Sequence, residues 1–231
     1  MPLLPHKQGL IELMLDRDVL KFGEFVTKSG RETPYFINTG EFSDGDALAR
    51  LGGFYAEALA RTLGGEFDNL YGPAYKGIPL AAATAQALAR EQDHNVSFTF
   101  NRKEAKDHGE KGALVGHCYT GGERVVIVDD VITAGTSVRE SVPLIRAAAD
   151  VQVRAVLVAV DRMETGQRGL SALQEIQEDF ALTAFAIVTL DDIICYLRQQ
   201  LDAGGGDGLD AATLDRVRAY RQRYGCEPAG D

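Results

Sequence analysis

Apolar residues recur along this chain at two spacings, and the switching between them sets the expected order of elements. Residues 8–20 carry Leu10, Ile11, Met14 and Leu15 at helical spacing. A polar, glycine-punctuated stretch over 23–30 follows, then a short strand at 35–37. The small-residue and leucine pattern of 47–63 predicts a packed helix. Residues 69–73 read as a strand running into a loop, 78–90 as an alanine-rich helix and 96–100 as a strand, with a charged, glycine-ended loop over 101–112. In the second half, strands at 124–128, 154–160 and 183–188 alternate with helices at 136–149, 171–179 and 190–201. Thr189 and Asp192 stand at capping spacing before the last of these helices. The strands are apolar throughout instead of at every second position. That predicts an α/β fold with a mostly parallel sheet covered by helices on both faces. Residues 203–208 are a flexible linker by composition, and 211–224 form an amphipathic helix stopped by Gly225. The chain reads as a single domain over 1–231, with a small hood-like part at 1–45 and a tethered final helix at 210–225.

The 231 residues, 45% of them hydrophobic and 25% charged, suffice for a packed core without staples. Three cysteines, Cys118, Cys195 and Cys226, lie far apart with no CxxC pair, so neither a disulfide framework nor a zinc site is indicated. Residues 1–20 mix charges among their apolar positions, unlike a signal peptide, and no apolar run is long enough to span a bilayer. The expectation is a cytoplasmic protein with no membrane partner. A net charge of −10 argues against a general nucleic-acid binder, which works by neutralising phosphates. It permits a small anionic substrate wherever positive charge is concentrated.

The most informative stretch is Val125-Val126-Ile127-Val128-Asp129-Asp130-Val131-Ile132-Thr133-Ala134-Gly135-Thr136-Ser137. Four apolar residues deliver the chain to the carboxyl end of a strand, where open α/β sheets bind ligands. Two carboxylates follow, then a turn of small and hydroxylated residues leading into a helix. Gly135 permits close backbone approach, and the helix start offers free amides to an anion. Such a loop suits a monophosphate ester, with the carboxylates beside it for sugar hydroxyls. A bare Asp-Asp is more often a helix cap; the whole pattern in its strand-turn-helix context is not. No Walker A sequence and no G-x-G-x-x-G fingerprint occurs.

That segment resembles the phosphoribosyl-diphosphate signature of the type I phosphoribosyltransferases. Further stretches are similar to the bacterial orotate phosphoribosyltransferases in particular: Leu20-Lys21-Phe22-Gly23-Glu24-Phe25 with Lys28-Ser29-Gly30-Arg31, Pro34-Tyr35-Phe36-Ile37-Asn38, and Gly72-Pro73-Ala74-Tyr75-Lys76-Gly77-Ile78-Pro79. Asn101-Arg102-Lys103-Glu104-Ala105-Lys106-Asp107-His108-Gly109 looks like that family's mobile catalytic loop. The resemblance runs over residues 8–224. It implies the type I phosphoribosyltransferase fold and transfer of the phosphoribosyl group from phosphoribosyl diphosphate to orotate, giving orotidine monophosphate and diphosphate in pyrimidine biosynthesis. By resemblance Lys28, Tyr75, Lys76, Arg102, Lys103, Lys106 and His108 bind phosphoribosyl diphosphate. Asp129, Asp130, Val131, Ile132, Thr133, Ala134, Gly135, Thr136 and Ser137 hold its ribose 5-phosphate and hydroxyls. Phe36 and Ile37 form an orotate shelf, and Thr133 and Arg162 contact orotate, Arg162 through its carboxylate. Lys106, Asp129 and Asp130 are the expected catalytic residues. The family uses Mg²⁺, expected here to be held mainly by substrate and water, and a homodimer in which the Arg102–His108 loop serves the neighbouring subunit's site.

Two stretches depart from the family pattern: 117–123 is slightly long, and 203–208 is an insertion. Taken residue by residue, other readings stay open. A charged loop is often a solvated surface, Tyr35 and Phe36 suit a core as well as a shelf, and Arg162 suits a structural ion pair. His6, His94 and His117 read as surface residues. The alternatives for the whole chain are a purine phosphoribosyltransferase with the same phosphate loop, and a non-catalytic phosphoribosyl-diphosphate-sensing regulator. The latter needs a basic face or an added helix-turn-helix module, and the net charge of −10 and the absence of such a module argue against it.

Overall fold

The computed structural model describes residues 3–27, 30–103, 113–132, 134–166, 168–204 and 210–226. Lys28, Lys106, His108, Thr133 and most of the expected 203–208 linker lie outside them. Helix α1 (Pro5–Asp16) starts with proline in its first turn, where the missing N–H costs nothing. Strands β1 (Leu20–Val26) and β2 (Glu32–Ile37) form an antiparallel hairpin, and a single 3₁₀ turn, Thr39–Glu41, follows. Then come α2 (Gly45–Leu63), β3 (Asn69–Gly72), α3 (Gly77–Glu91), β4 (Ser97–Asn101) and β5 (Leu114–Gly116). The chain continues through β6 (Arg124–Val131), α4 (Thr136–Ala148), β7 (Gln152–Asp161), α5 (Ala172–Phe180), β8 (Thr183–Thr189), α6 (Leu190–Asp202) and α7 (Ala211–Tyr224).

Six strands stand in the order β5-β4-β3-β6-β7-β8, all parallel except β5. The uninterrupted apolar runs explain this, since a parallel strand buries both of its faces. On β6, Val126 and Val128 join the core beneath α1, α2, α3 and α6, while Val125 and Ile127 join the core beneath α4 and α5. On β7 the same division separates Ala155, Leu157 and Ala159 from Val156 and Val158. The α/β architecture expected from the sequence is the one observed.

Local detail differs at four places. Residues 20–26, read as part of a helix and a polar connection, form β1. Their apolar positions pair with β2 around a bulge between Phe22 and Phe25, which blurs the period-two signal. The first helix accordingly ends at Asp16. β5 is a three-residue strand, too short to leave a pattern, and it pairs back on β4 so that the charged loop springs from a hairpin. Its feet are tied by the Arg102 amide donating to the Ala113 carbonyl at 2.8 Å. His6, expected at the surface, is buried, with Nδ1 3.5 Å from Glu57; burial leads the effects that lower its pKa.

The 117–123 stretch is ordered around one carboxylate. Glu123 accepts from the Thr120 and Gly121 amides and from the Thr120 hydroxyl. The Thr120 amide is the largest of several hydrogen bonds that bring its pKa down to about 2.

Helices α2 and α3 approach so closely at Gly52 that a Cβ there would lie 2.7 Å from the Ala83 carbonyl oxygen. Alanine gains up to about 1 kcal/mol over glycine in a helix interior, but overpacking against backbone costs about 1–3 kcal/mol. Gly52→Ala is therefore expected to lower the urea midpoint, and an unchanged or raised midpoint would contradict this packing.

Candidate active site

The order of strands reverses between β3 and β6: from β3 the chain moves out to β4 and β5, and from β6 it moves the other way to β7 and β8. Open α/β sheets bind ligands beyond the carboxyl ends of the strands at such a point. Here those ends carry the Gly72–Gly77 turn and the Asp129-Asp130 pair.

The turn after β3 is tight because both its glycines are needed. A Cβ on Gly72 would lie 2.1 Å from the Gly77 carbonyl oxygen, and one on Gly77 would lie 2.6 Å from Pro73 Cδ. The Ala74–Tyr75 peptide is cis. The Ala74 amide donates to Asn101 Oδ1 at 2.8 Å, which ties this turn to the end of β4. Tyr75 is 65% exposed, with the Lys103 ammonium 5.2 Å from its ring centroid. Lys76 reaches back across the switch point to donate to Asp130 Oδ2 at 2.8 Å and to Thr39 Oγ1 at 3.0 Å.

Successive residues of a strand face opposite sides, and that alternation separates the two carboxylates. Asp129 follows Val125 and Ile127 toward α4, where its Oδ2 accepts from Ser137 Oγ at 2.6 Å and its Oδ1 accepts from the Asp130 amide. Asp130 follows Val126 and Val128 toward the hairpin side, where Thr39 and Lys76 donate to one oxygen. Burial pushes the Asp129 pKa up to about 6, against the Ser137 hydroxyl that opposes the rise. Burial also pushes Asp130 upward, but Lys76 and Thr39 outweigh it and hold that carboxyl below its ordinary range.

Beyond the carboxylates, Gly135 takes φ 69 and stands at the N-cap of α4 with no side-chain cap, so the first amides of that helix are left for an anion. Val131 and Ile132 carry the chain from β6 into this loop; Ala134 and Thr136 are exposed beside Gly135.

The hairpin contributes a third wall. Tyr35 is core, 1% exposed, whereas Phe36 is 44% exposed and stacks on Phe25 at 5.5 Å; Ile37 packs against the core. At the end of β7, Arg162 lies with its guanidinium 4.7 Å from the Tyr35 ring centroid. Its Nε donates to Glu164 Oε1 at 2.7 Å, with Nη2 2.6 Å from the same oxygen. Burial pulls the Arg162 pKa down, but Tyr35 and Glu164 offset it and the net shift is upward. The structural ion pair left open for Arg162 is thus present, and it is compatible with a second, substrate-facing role.

Tyr75, Lys76, Lys103, Asp129, Asp130 and the 134–137 segment thus stand around the switch point, and Phe36, Ile37 and Arg162 on the hairpin side; Arg102 stands at the foot of the charged loop. Sequence reasoning assigned nothing to Thr39, Asn101, Glu164 or Tyr220. Thr39 directly follows one recognised motif and Asn101 opens another, which was the available signal. Tyr220 is 56 residues from the Glu164 it touches, and the sequence carries no sign of that contact.

The phosphoribosyl transferase domain family matches residues 38–181 of the chain. An orotate phosphoribosyltransferase of Vibrio vulnificus is 53% identical over 95% of this chain and 98% of that protein. One from Salmonella paratyphi A is 51% identical over 96% of this chain and 99% of its own length. A crystal structure of orotate phosphoribosyltransferase from Francisella tularensis superposes with a TM-score of 0.80 at 36% identity, covering 93% of this chain and 98% of that one. By its fold, its phosphate loop and identity of about half along nearly the whole length of these relatives, the chain belongs to the orotate phosphoribosyltransferases.

Proposed function

We propose that the switch point binds phosphoribosyl diphosphate while the hairpin and the end of β7 bind orotate, so that the two meet over Asp130. The reaction itself follows from the family: the chain transfers the phosphoribosyl group to orotate, giving orotidine monophosphate and diphosphate in pyrimidine biosynthesis. The observation that carries the placement is the Lys76–Asp130 pair, a cation for the diphosphate and a carboxylate for the sugar held 2.8 Å apart beside an uncapped helix start.

In this reading the first amides of α4, with Thr133, Thr136 and Ser137, seat the 5-phosphate. Asp129 and Asp130 accept from the ribose hydroxyls and oppose the positive charge that grows at the anomeric carbon. Lys76, Lys103 and Arg102, with Lys28 and His108, neutralise the diphosphate, and Lys106 stabilises it as it departs. Preorganised charge of this kind is the main resource of such a site. Phe36 and Ile37 support the orotate ring, Arg162 takes its carboxylate, and the ring nitrogen adds from the face opposite the leaving diphosphate. The nucleophile is already anionic near neutral pH, so no strong general base is needed.

Among the described residues no group of three or more His, Cys, Asp and Glu could cage a metal. Mg²⁺ typically keeps several waters and takes at most one or two carboxylates together with substrate phosphates; Asp129 and Asp130 turn to opposite faces of β6, so substrate and water would hold it in the main. Bound with the substrate, Mg²⁺ supplies positive charge against the diphosphate. No helix among the described residues is long and apolar enough to cross a membrane. A single domain over 1–231 is supported by the hairpin, the sheet and α7 sharing one core.

Three outcomes are expected. Orotate should turn over with phosphoribosyl diphosphate, followed by its loss of absorbance, while uracil, adenine, guanine and hypoxanthine should not; equal rates with uracil would remove the role of Arg162.

Asp129→Asn should lower kcat/KM by at least about a hundredfold, in the range seen when one preorganised electrostatic group is lost. Its effect on stability should depend on pH. The folded-state pKa of Asp129 is raised to about 6, so in the wild type this group favours folding in acid and loses that contribution as pH rises from about 4 toward 6. Relative to wild type, Asp129→Asn is therefore more favourable to Tm at pH 7.5 than at pH 4. The reverse order would mark Asp129 as a structural ion.

The homodimer with a shared loop is tested by subunit exchange between inactive Lys106→Ala and Asp129→Ala. If Lys106 serves the partner's site, random exchange makes about half the dimers mixed and restores about a quarter of all sites. If it serves its own chain, mixing restores nothing.

A further inference from the structure

Arg162 is held by more than its neighbour two residues on. Glu164 Oε1 accepts from Arg162 Nε at 2.7 Å and from the Tyr220 hydroxyl of α7 at 2.8 Å, with Arg162 Nη2 2.6 Å away. Glu164 Oε2 lies 3.7 Å from Arg31 Nη1, and the Arg31 guanidinium rests 5.3 Å from the Tyr224 ring centroid. Tyr35, beneath the Arg162 guanidinium, meets the Tyr220 ring edge-to-face at 5.6 Å. The backbone repeats the attachment. The Thr165 amide donates to the Tyr224 carbonyl and the Cys226 amide to the Met163 carbonyl, so the end of α7 lies as a short antiparallel partner along 163–165.

We propose that Glu164 and Tyr220 are positioning residues for base recognition: α7, through its hydroxyl on Glu164, fixes the guanidinium of Arg162 for the orotate carboxylate. This rests on the placement of that carboxylate at Arg162. A long side chain at a strand end has many rotamers, and binding must freeze them. Here Nε donates to Glu164 Oε1, Nη2 stands 2.6 Å from the same oxygen without a hydrogen bond of its own among the described residues, and the flat face lies on Tyr35. Glu164 serves this purpose only while its own carboxylate is pinned, and the donor that pins it comes from α7. The final helix thereby enters the specificity of the enzyme.

The test compares Tyr220→Phe, Arg162→Ala and the double variant in the full-length enzyme. Readouts are kcat, both KM values and Tm. Losing one hydrogen bond to a charged group corresponds to a change on the order of tenfold. Tyr220→Phe is expected to raise the orotate KM about that much, with kcat, the phosphoribosyl-diphosphate KM and Tm little changed, because the ring packing on Tyr35 is kept. Arg162→Ala should lower kcat/KM for orotate further, and adding Tyr220→Phe to it should change nothing more, since residues acting through one another are not additive. Should Tyr220→Phe fail to fold, Glu164→Gln is read in the same way.

An unchanged orotate KM in Tyr220→Phe, beside a damaged Arg162→Ala, overturns this inference alone. So does a Tyr220→Phe effect that persists undiminished in the Arg162→Ala background, or one that falls on both substrates and Tm together. An Arg162→Ala enzyme with wild-type kcat/KM for orotate overturns the placement of the carboxylate and this inference with it.

Discussion

Two carboxylates on successive residues at the end of a buried strand repel each other and lose hydration together, and the site is built around the resolution of that conflict. The pleat of β6 turns Asp129 and Asp130 to opposite faces, so each meets a different set of donors. Asp130 receives Lys76 and Thr39 and is held as an anion below its ordinary pKa. Among the described residues Asp129 receives a hydroxyl and an amide, and burial raises its pKa. Pairs of titratable groups pushed apart in this way are common at functional sites. The cation that stabilises Asp130 comes from the turn after β3, the hydroxyl from the turn after β2, and the partner of Asp129 from the first turn of α4. Strand order, hairpin docking and the packing of α4 all converge on these two residues.

A second convergence occurs at the end of β7. Asp161 accepts from the Met163 amide and turns the chain there, Met163 takes a positive φ, and the following residues pair with the end of α7. Arg162 emerges from this corner between Tyr35 of the hairpin and Glu164. The amino-terminal hairpin and the carboxyl-terminal helix therefore meet over one guanidinium. Segments distant in sequence become walls of the same cleft because both bury their apolar faces in the core that also holds Val126 and Leu157.

The acidic balance of the chain, −10 overall, is compatible with two anionic substrates because the field that matters is local. Exposed charges farther apart than a Debye length of about 8 Å are largely screened at physiological salt. In the proposed site Lys76, Lys103 and the helix start would act on the substrates at contact distance. Elsewhere acidic residues are taken up in pairs such as Arg17 with Asp44 and Asp46, or Arg139 with Asp179 and Glu175. Exposed pairs of this sort contribute little individually.

The sequence by itself determined the alternation of strands and helices, because buried parallel strands demand long apolar runs and amphipathic helices a 3.6-residue stripe. It also marked the phosphate loop, where small, hydroxylated and acidic residues in one unbroken stretch have few other uses. It left β1 and β5 unread: a bulge broke the alternation of one, and three residues are too few to carry a period. It could not divide Asp129 from Asp130, since their difference comes from facing groups on α4, on the turn after β3 and at Thr39. Nor could it say whether Arg162 is an ion pair or a ligand residue, or bring Tyr220 to Glu164. Those contacts join elements far apart along the chain, and only the packing of α7 against the hairpin decides them, because a side chain's partner across the fold leaves no trace in its local spacing.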